Sequence, residues 1–211
     1  DRLICGDAGY GKTEIALRAA FVAAMQGKQV AVLVPTTVLA QQHYENFRSR
    51  LAPYPIVVGL HSRFTSPGER AELLKKAASG AVDIIIGTHG ILGENVTFRD
   101  LGLVIVDEEQ RFGVLAKERL KTVCEQVDVL TLSATPIPRT LYLGITGARD
   151  LSLLRTPPPG RVAVETIVAQ DDDQTVSNAV LREIERGGQV FFLHNRVMTL
   201  DLVYARLHKL F

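Results

Sequence analysis

The sequence predicts a doubly wound α/β domain built on a parallel sheet. Three observations lead there. Short apolar runs alternate with helical patterns along most of the chain. Most of these runs are continuously apolar rather than alternating, as parallel strands covered on both faces require. The first run, Leu3-Ile4-Cys5, leads into Gly6-Asp7-Ala8-Gly9-Tyr10-Gly11-Lys12-Thr13, which matches G-x-x-x-x-G-K-[ST], and a stretch rich in helix formers, Glu14 to Val22, follows it.

The elements read as follows. Val30–Val34 is a strand, and a helix runs from about Thr37 to Leu51. Ile56–Val58 is a strand. Ser66-Pro67 opens a helix, with Pro at its first position, and Gly80 stops it. Asp83–Ile86, Leu103–Val106 and Val127–Leu132 are strands. Thr156-Pro157-Pro158-Pro159-Gly160 is a stiff break. It divides a first domain, 1–155, from a second that begins at 161 and runs to 211, with 156–160 as linker. Beyond the break, Ala163–Val168 alternates like a strand and a helix spans about Gln174 to Arg186, ended by Gly187-Gly188. Gln189–Leu193 is a strand, and a helix carries the chain to Phe211. Two strand–helix units are too few for a complete α/β domain. The N-terminus falls almost on the first strand, so the sequence reads as a stretch of a longer polypeptide.

The glycine-rich loop has a definite chemistry. Gly6, Gly9 and Gly11 let the backbone turn and approach phosphate oxygens without a side chain intervening. The loop amides and the helix N-terminus form a concave anion site that also takes in Asp7, Ala8 and Tyr10. Lys12 is placed to reach the β- and γ-phosphates, and the Thr13 hydroxyl to ligate Mg²⁺. The motif specifies a nucleoside triphosphate but not the use made of its energy.

Composition narrows the alternatives. Of 211 residues, 46% are apolar, enough for a sizeable core. Lys and Arg number 24 against 23 Asp and Glu, a net charge of +1, so bulk charge does not announce nucleic acid. Such a partner would be held locally, by amides and hydroxyls as well as cations. Cys5 and Cys124 sit in or beside apolar runs and read as buried thiols, which fits a reducing cytosol. The five histidines show no metal-ligand spacing. No apolar run approaches the roughly 20 residues of a membrane span, and no signal peptide is apparent.

Ligands of doubly wound sheets gather beyond the carboxyl ends of the strands, and so do the informative residues here. After Leu103–Val106 comes Asp107-Glu108-Glu109-Gln110, the acidic half of a phosphate-loop site. Asp107 is the candidate Mg²⁺ carboxylate, and Glu108 is placed to orient or deprotonate the attacking water. After Val129–Leu132 comes Ser133-Ala134-Thr135, whose hydroxyls suit a relay. Thr36 and Thr37 follow one strand, and Thr88 and His89 another. Threonines at helix starts hold phosphates, although each taken alone is more often a helix cap than a ligand.

These stretches resemble a family. Gly6–Thr13, Val34–His43, Ile84–His89, Asp107–Gln110 and Ser133–Thr140 are similar, in order and spacing, to motifs I, Ia, Ic, II and III of superfamily 2 helicases and translocases. Gly87-Thr88-His89, Asp107–Gly113 and Ser133–Thr140 resemble the branch shared by RecG and the bacterial transcription-repair coupling factor. Gly9–Glu14, Val34–His43, Ser62-Arg63-Phe64, Arg111–Val114 and Ala148–Ser152 look like the coupling factor in particular. The resemblance implies a RecA-like phosphate-loop lobe, the start of a second such lobe, and a cytoplasmic, ATP-driven translocase on double-stranded DNA. It implies further that RNA polymerase and excision-repair proteins are engaged through modules outside this stretch, with no membrane involved. Lys12, Thr13, Asp107 and Glu108 would then serve ATP and Mg²⁺, and Gln110 would sense the γ-phosphate and relay to Ser133 and Thr135. Thr36, Thr37, Gln41, Arg63, Thr88 and His89 would meet the DNA backbone. Phe192–Arg196 resembles the opening of motif IV and carries no assigned role. The arginine finger and motifs V and VI of the family have no counterpart here. The expected consequence is weak nucleotide binding and little hydrolysis by this stretch alone. Three other readings remain open from residues alone: a RecG-like fork-remodelling helicase, a phosphate-loop ATPase that works without DNA, and a binding module switched by nucleotide.

Overall fold

A computed structural model describes residues 1–93, 95–123, 127–134, 150–161 and 164–211. They fall into two compact units, residues 1–161 and 162–211.

The first unit holds strands β1 (Arg2–Gly6), β2 (Gln29–Leu33), β3 (Val58–His61), β4 (Ile84–Gly87), β5 (Leu101–Asp107), β6 (Asp128–Ser133) and β7 (Asp150–Leu154). Its helices are α1 (Lys12–Met25), α2 (Thr37–Leu51), α3 (Pro67–Ser79) and α4 (Val114–Val123). The strands form one sheet in the order β3-β4-β2-β5-β6-β1-β7. Every neighbouring pair is parallel. The doubly wound α/β fold is thus the one expected.

Both faces of the sheet are covered, which explains the unbroken apolar runs. On one face Val30, Val32, Ile84, Ile86 and Ile105 pack with Ala16, Leu17 and Ala20 of α1 and Phe47 and Leu51 of α2. On the other face Ala31, Leu33, Ile85, Val104 and Val106 pack with Ala77 of α3, and Leu120 and Val123 of α4 lean against them. Successive residues of β2, β4 and β5 therefore serve opposite layers, and neither face tolerates a polar position in mid-strand.

Local signals set the helix ends. The Thr36 hydroxyl accepts from the Leu39 amide at 3.2 Å and caps α2. The Ser66 hydroxyl accepts from the Glu69 amide, and the Glu69 carboxylate from the Ser66 amide, so a capping box starts α3 beside Pro67. Gly80 ends α3 in the left-handed region.

Three readings of the sequence need correction. The strand expected at Ile56–Val58 is instead Val58–His61, because Asp83 takes the Val57 amide at 2.7 Å and the ladder to β4 begins one residue later. β7 and α4 were not anticipated: β7 lies at the sheet edge, half-buried, and α4 exposes Val114 and Leu115 as well as Glu118 and Arg119.

The third correction falls in the second unit, which contains α5 (Asp173–Glu185), a short 3₁₀ turn at Val197–Thr199 and α6 (Leu200–Leu210). The strands expected at 163–168 and 189–193 are not formed among the described residues. A strand persists only where a neighbour takes up its amides and carbonyls. Neither segment has such a neighbour among the described residues, and Val168, Phe191 and Leu193 stand 94%, 97% and 94% exposed. Arg206 of α6 clamps Asp171 and Asp173 at the start of α5, with contacts of 2.7 and 2.5 Å.

Candidate functional site

The parallel sheet brings the carboxyl ends of all its strands to one rim. Register fixes who stands beside whom. Asp107 of β5 lies opposite Leu132 of β6, and Ser133 lies opposite Cys5 of β1, which passes directly into the glycine-rich loop. On the other side Leu33 of β2 lies opposite Gly87 of β4, which lies opposite His61 of β3. Across the rim, the segments after β3, β4 and β2 carry Arg63, then Thr88 and His89, then Thr36, Thr37 and Gln41. The ends of β5, β6 and β1 carry Asp107 to Gln110, then Ser133, then the loop from Gly6 to Thr13.

In the loop, Gly9 and Gly11 have φ of 77° and 88°, a region closed to most residues with a side chain. Gly6 also meets a packing demand. It closes β1, and a Cβ there would stand 2.8 Å from Leu154 Cβ of β7. Lys12 Nζ donates to the carbonyls of Gly6 at 2.7 Å and Asp7 at 3.1 Å, which holds the ammonium over the loop. The backbone amides of Lys12 and Thr13 make no hydrogen bond among the described residues, as the first turn of a helix leaves them. Such amides, with an ammonium beside them, make an anion site. The Asp7 carboxyl lies below its usual range because the Ala8 amide and then Arg161 hydrogen-bond its charged form. Cys5 is a buried free thiol, and burial pushes it up.

At the end of β5 the chain turns sharply. Glu108 is the one non-glycine residue with positive φ among the described residues, at 52°. Its amide donates to Leu132 O of β6 at 3.0 Å. Gln110 Nε2 donates to Glu108 Oε2, and Ser133 Oγ donates to Gln110 Oε1 at 3.4 Å. Glu108, Gln110 and Ser133 thus form one chain of side chains across the ends of β5 and β6. Thr135, the other residue expected in this relay, and Cys124 lie outside the described residues.

The residues expected at DNA differ in their present partners. The Thr36 hydroxyl is occupied as the cap of α2, while Thr88 precedes a 3₁₀ turn, His89–Leu92, without capping it. Gln41 donates to Glu45 at 2.7 Å. Arg63, Thr36 and His89 are exposed, and Thr37, Thr88 and Gln41 are partly buried. Arg63 sits in a loop that Arg70 braces by donating to Ser62 O and Thr65 O at 3.1 and 3.3 Å.

Thr13 and Asp107 offer hard oxygens, the donor chemistry Mg²⁺ takes from proteins. Asp107 is 9% exposed, and only its Oδ2 is hydrogen-bonded among the described residues. The donor set fits the ion.

Two contacts escaped the reading of the sequence. His43 Nε2 lies 3.1 Å from Asp107 Oδ2, with both side chains buried. The signal was present: His43 is the polar member of the buried stripe Ala40, His43, Phe47 and Leu51 on α2. Arg161 pairs with Asp7 at 2.9 Å and sits 4.6 Å over the Tyr10 ring. No local pattern marks Arg161, which follows the Pro-rich break.

Comparison with known proteins accords with this geometry. Residues 1–143 match the DEAD/DEAH box helicase family. A transcription-repair-coupling factor of Myxococcus xanthus is 57% identical over 210 residues, covering 100% of this chain and 18% of that protein. Its counterpart in Escherichia coli (strain K12) is 56% identical over 210 residues, again 100% of this chain and 18% of that one. That of Bacillus subtilis (strain 168) is 56% identical over 201 residues, 95% and 17% of the two chains. The chain therefore spans under a fifth of the length of these relatives. Among solved structures, RecG bound to a three-way DNA junction superposes with a TM-score of 0.80 at 37% identity, over 99% of this chain and 28% of that one. The helicase MrfA, at TM-score 0.65 and 19% identity over 98% of this chain and 36% of that one, shares the fold. Matched over more than half its length, and built on the RecA-like sheet of its neighbours, the chain belongs to the DEAD/DEAH box helicases.

Proposed function

We propose that the chain is the first motor lobe, with the beginning of a second, of an ATP-driven translocase that moves along double-stranded DNA in transcription-coupled repair. The carrying observation is the division of the rim. Its β5-β6-β1 half holds an anion site, a carboxylate and a polar relay, and its β3-β4-β2 half offers hydroxyls, an arginine and a histidine. A protein that couples ATP to movement on a sugar-phosphate backbone needs both halves on one rigid body. The likeness to the coupling factors, at 56–57% identity in three bacteria, supports the choice among motors.

In this reading Lys12 and the loop from Gly6 to Thr13 hold the triphosphate. Thr13 and Asp107 hold Mg²⁺, which neutralises charge developing on the phosphoryl oxygens. Glu108 orients the attacking water, and Gln110 passes the presence of the γ-phosphate to Ser133 and Thr135. Thr36, Thr37, Gln41, Arg63, Thr88 and His89 bind DNA phosphates without reading bases. The motor works in the cytoplasm, and no helix among the described residues is long and apolar enough to cross a membrane. Contacts with RNA polymerase and repair proteins belong to other parts of a longer chain. The RecG superposition supports a second reading, a fork-remodelling helicase.

Triplex displacement separates the two. A translocase completed by its second lobe removes a third strand from duplex DNA in an ATP-dependent way and leaves the duplex paired. Strand separation on forked DNA, without displacement from plain duplex, would favour the fork-remodelling reading.

A further inference from the structure

The two halves of the rim meet between β2 and β5. There α2, which follows β2, sends His43 inward to Asp107 at the end of β5, with Nε2 and Oδ2 3.1 Å apart. Both side chains are buried, 7% and 13% exposed. A carboxylate accepts only, so the ring presents Nε2–H to it. No protein group reaches Nδ1 among the described residues. The ring is pinned from behind by Phe47, whose centroid lies 6.2 Å away. A hydrogen bond of this kind fixes which carboxylate oxygen remains for a metal and how it points. It also ties that carboxylate to the helix whose first turns carry Thr36, Thr37 and Gln41.

We propose that His43 is a positioning residue for the metal carboxylate: its Nε2–H holds Asp107 Oδ2 so that Oδ1 faces the Mg²⁺ of the bound nucleotide. The inference rests on the reading of Asp107 as the magnesium carboxylate. It predicts a defect in metal use rather than in nucleotide capture. A buried polar partner of a metal ligand commonly accounts for about 10–100-fold in metal affinity.

The test measures binding of a fluorescent ADP analogue to the full chain, in Mg²⁺ and in EDTA. In His43→Leu, affinity in EDTA stays within about twofold of wild type, and the Mg²⁺ concentration for half-maximal tightening rises about tenfold or more. His43→Gln, whose side-chain amide can donate in place of Nε2–H, recovers most of that shift. Unchanged Mg²⁺ dependence in His43→Leu overturns the proposal. Asp107→Asn separates the two levels. If it leaves the Mg²⁺ dependence intact, the metal-site reading itself fails. If it abolishes that dependence while His43→Leu does not, only the role of His43 falls. A second measurement needs no disruptive variant. In protein labelled with ¹⁵N-histidine, with the His43 signal assigned by its loss in His43→Gln, the ring is the Nε2–H tautomer and its Nε2 resonance moves when Mg²⁺ is added to the ADP-loaded chain. An Nδ1–H tautomer, or a resonance indifferent to Mg²⁺, overturns the proposal.

Discussion

Glu108 carries two burdens at once. Its left-handed backbone costs roughly 1–2 kcal/mol in a residue with a side chain, and its carboxylate is held by Gln110 beside the end of β6. Strain of this sort persists where the surrounding structure overrides it. In the proposed mechanism this carboxylate serves the attacking water. Glu108→Gln should therefore lower kcat by about 10²–10⁴-fold while nucleotide affinity stays within a few-fold, measured by steady-state turnover and by ligand binding. Equal losses in both would assign Glu108 to binding instead. His61 permits a separate test by pH. Burial, and then the Arg70 guanidinium, push its imidazole below the ordinary value of about 6.5. The folded state thus resists protonation that the unfolded chain accepts. The stability His61 contributes is present above pH ~6.5 and is lost as pH falls below that value toward the folded one. Melting temperature should fall over that interval, with a shallower slope in His61→Asn; parallel slopes would remove His61 as the cause. At this scale the sequence was informative wherever residue type and spacing together implied chemistry, as in Gly6 to Thr13. It was silent on Arg161, because a contact between a Pro-rich segment and the loop leaves no periodic trace. It gave no sign that the missing side chain of Gly6 also makes room for Leu154.

Elements were legible where a local signal starts or stops them. Thr36 and Ser66 cap α2 and α3 at the positions their hydroxyls suggest. β7 and the segments at 163–168 and 189–193 were misread for opposite reasons. The first is a five-residue edge strand whose three leucines are interrupted by Ser152, too short a run to stand out, whereas the others have strand-like patterns without a strand beside them among the described residues. Hydrophobic alternation states what a segment can do, and a ladder requires a partner. Between elements, Gln29 makes four hydrogen bonds among the described residues. At 4% exposure it donates to Ala77 O and Val82 O at 2.9 and 2.8 Å and accepts from the amides of Arg99 and Asp100 at 2.7 and 3.0 Å. It joins the end of α3, the approach to β4 and the approach to β5. Gln29→Leu removes these four hydrogen bonds, although Ala77 O keeps the Gly80 amide at 3.2 Å and the Arg99 amide keeps Ala77 O at 3.4 Å, a loss of about 3 kcal/mol in all. The corresponding loss is roughly 10 °C in melting temperature. A drop of under about 2 °C by calorimetry would show that the groups find other partners.

On the scale of the whole molecule, near-neutral charge and a rim rich in hydroxyls belong together. The net charge of +1 leaves little long-range pull on DNA, so in the proposed reading grip would depend on a few placed groups at the ends of β3, β4 and β2. The first unit supplies a candidate triphosphate site and a candidate backbone track. The transition-state cation of related enzymes is worth roughly 10³–10⁵ in rate, and the family resemblance assigns it to the second lobe. The proposed motor therefore depends on coupling between ATP, duplex DNA and a completed second lobe. The most direct measurement is ATP hydrolysis with and without duplex DNA, by this chain and by a longer one that completes the second lobe, each with a Lys12→Ala control. A two-lobe translocase gives slow turnover by this chain, DNA-stimulated turnover by the longer one, and neither after Lys12→Ala. Equal turnover by both, indifferent to DNA, would mean a self-contained ATPase and would contradict the translocase.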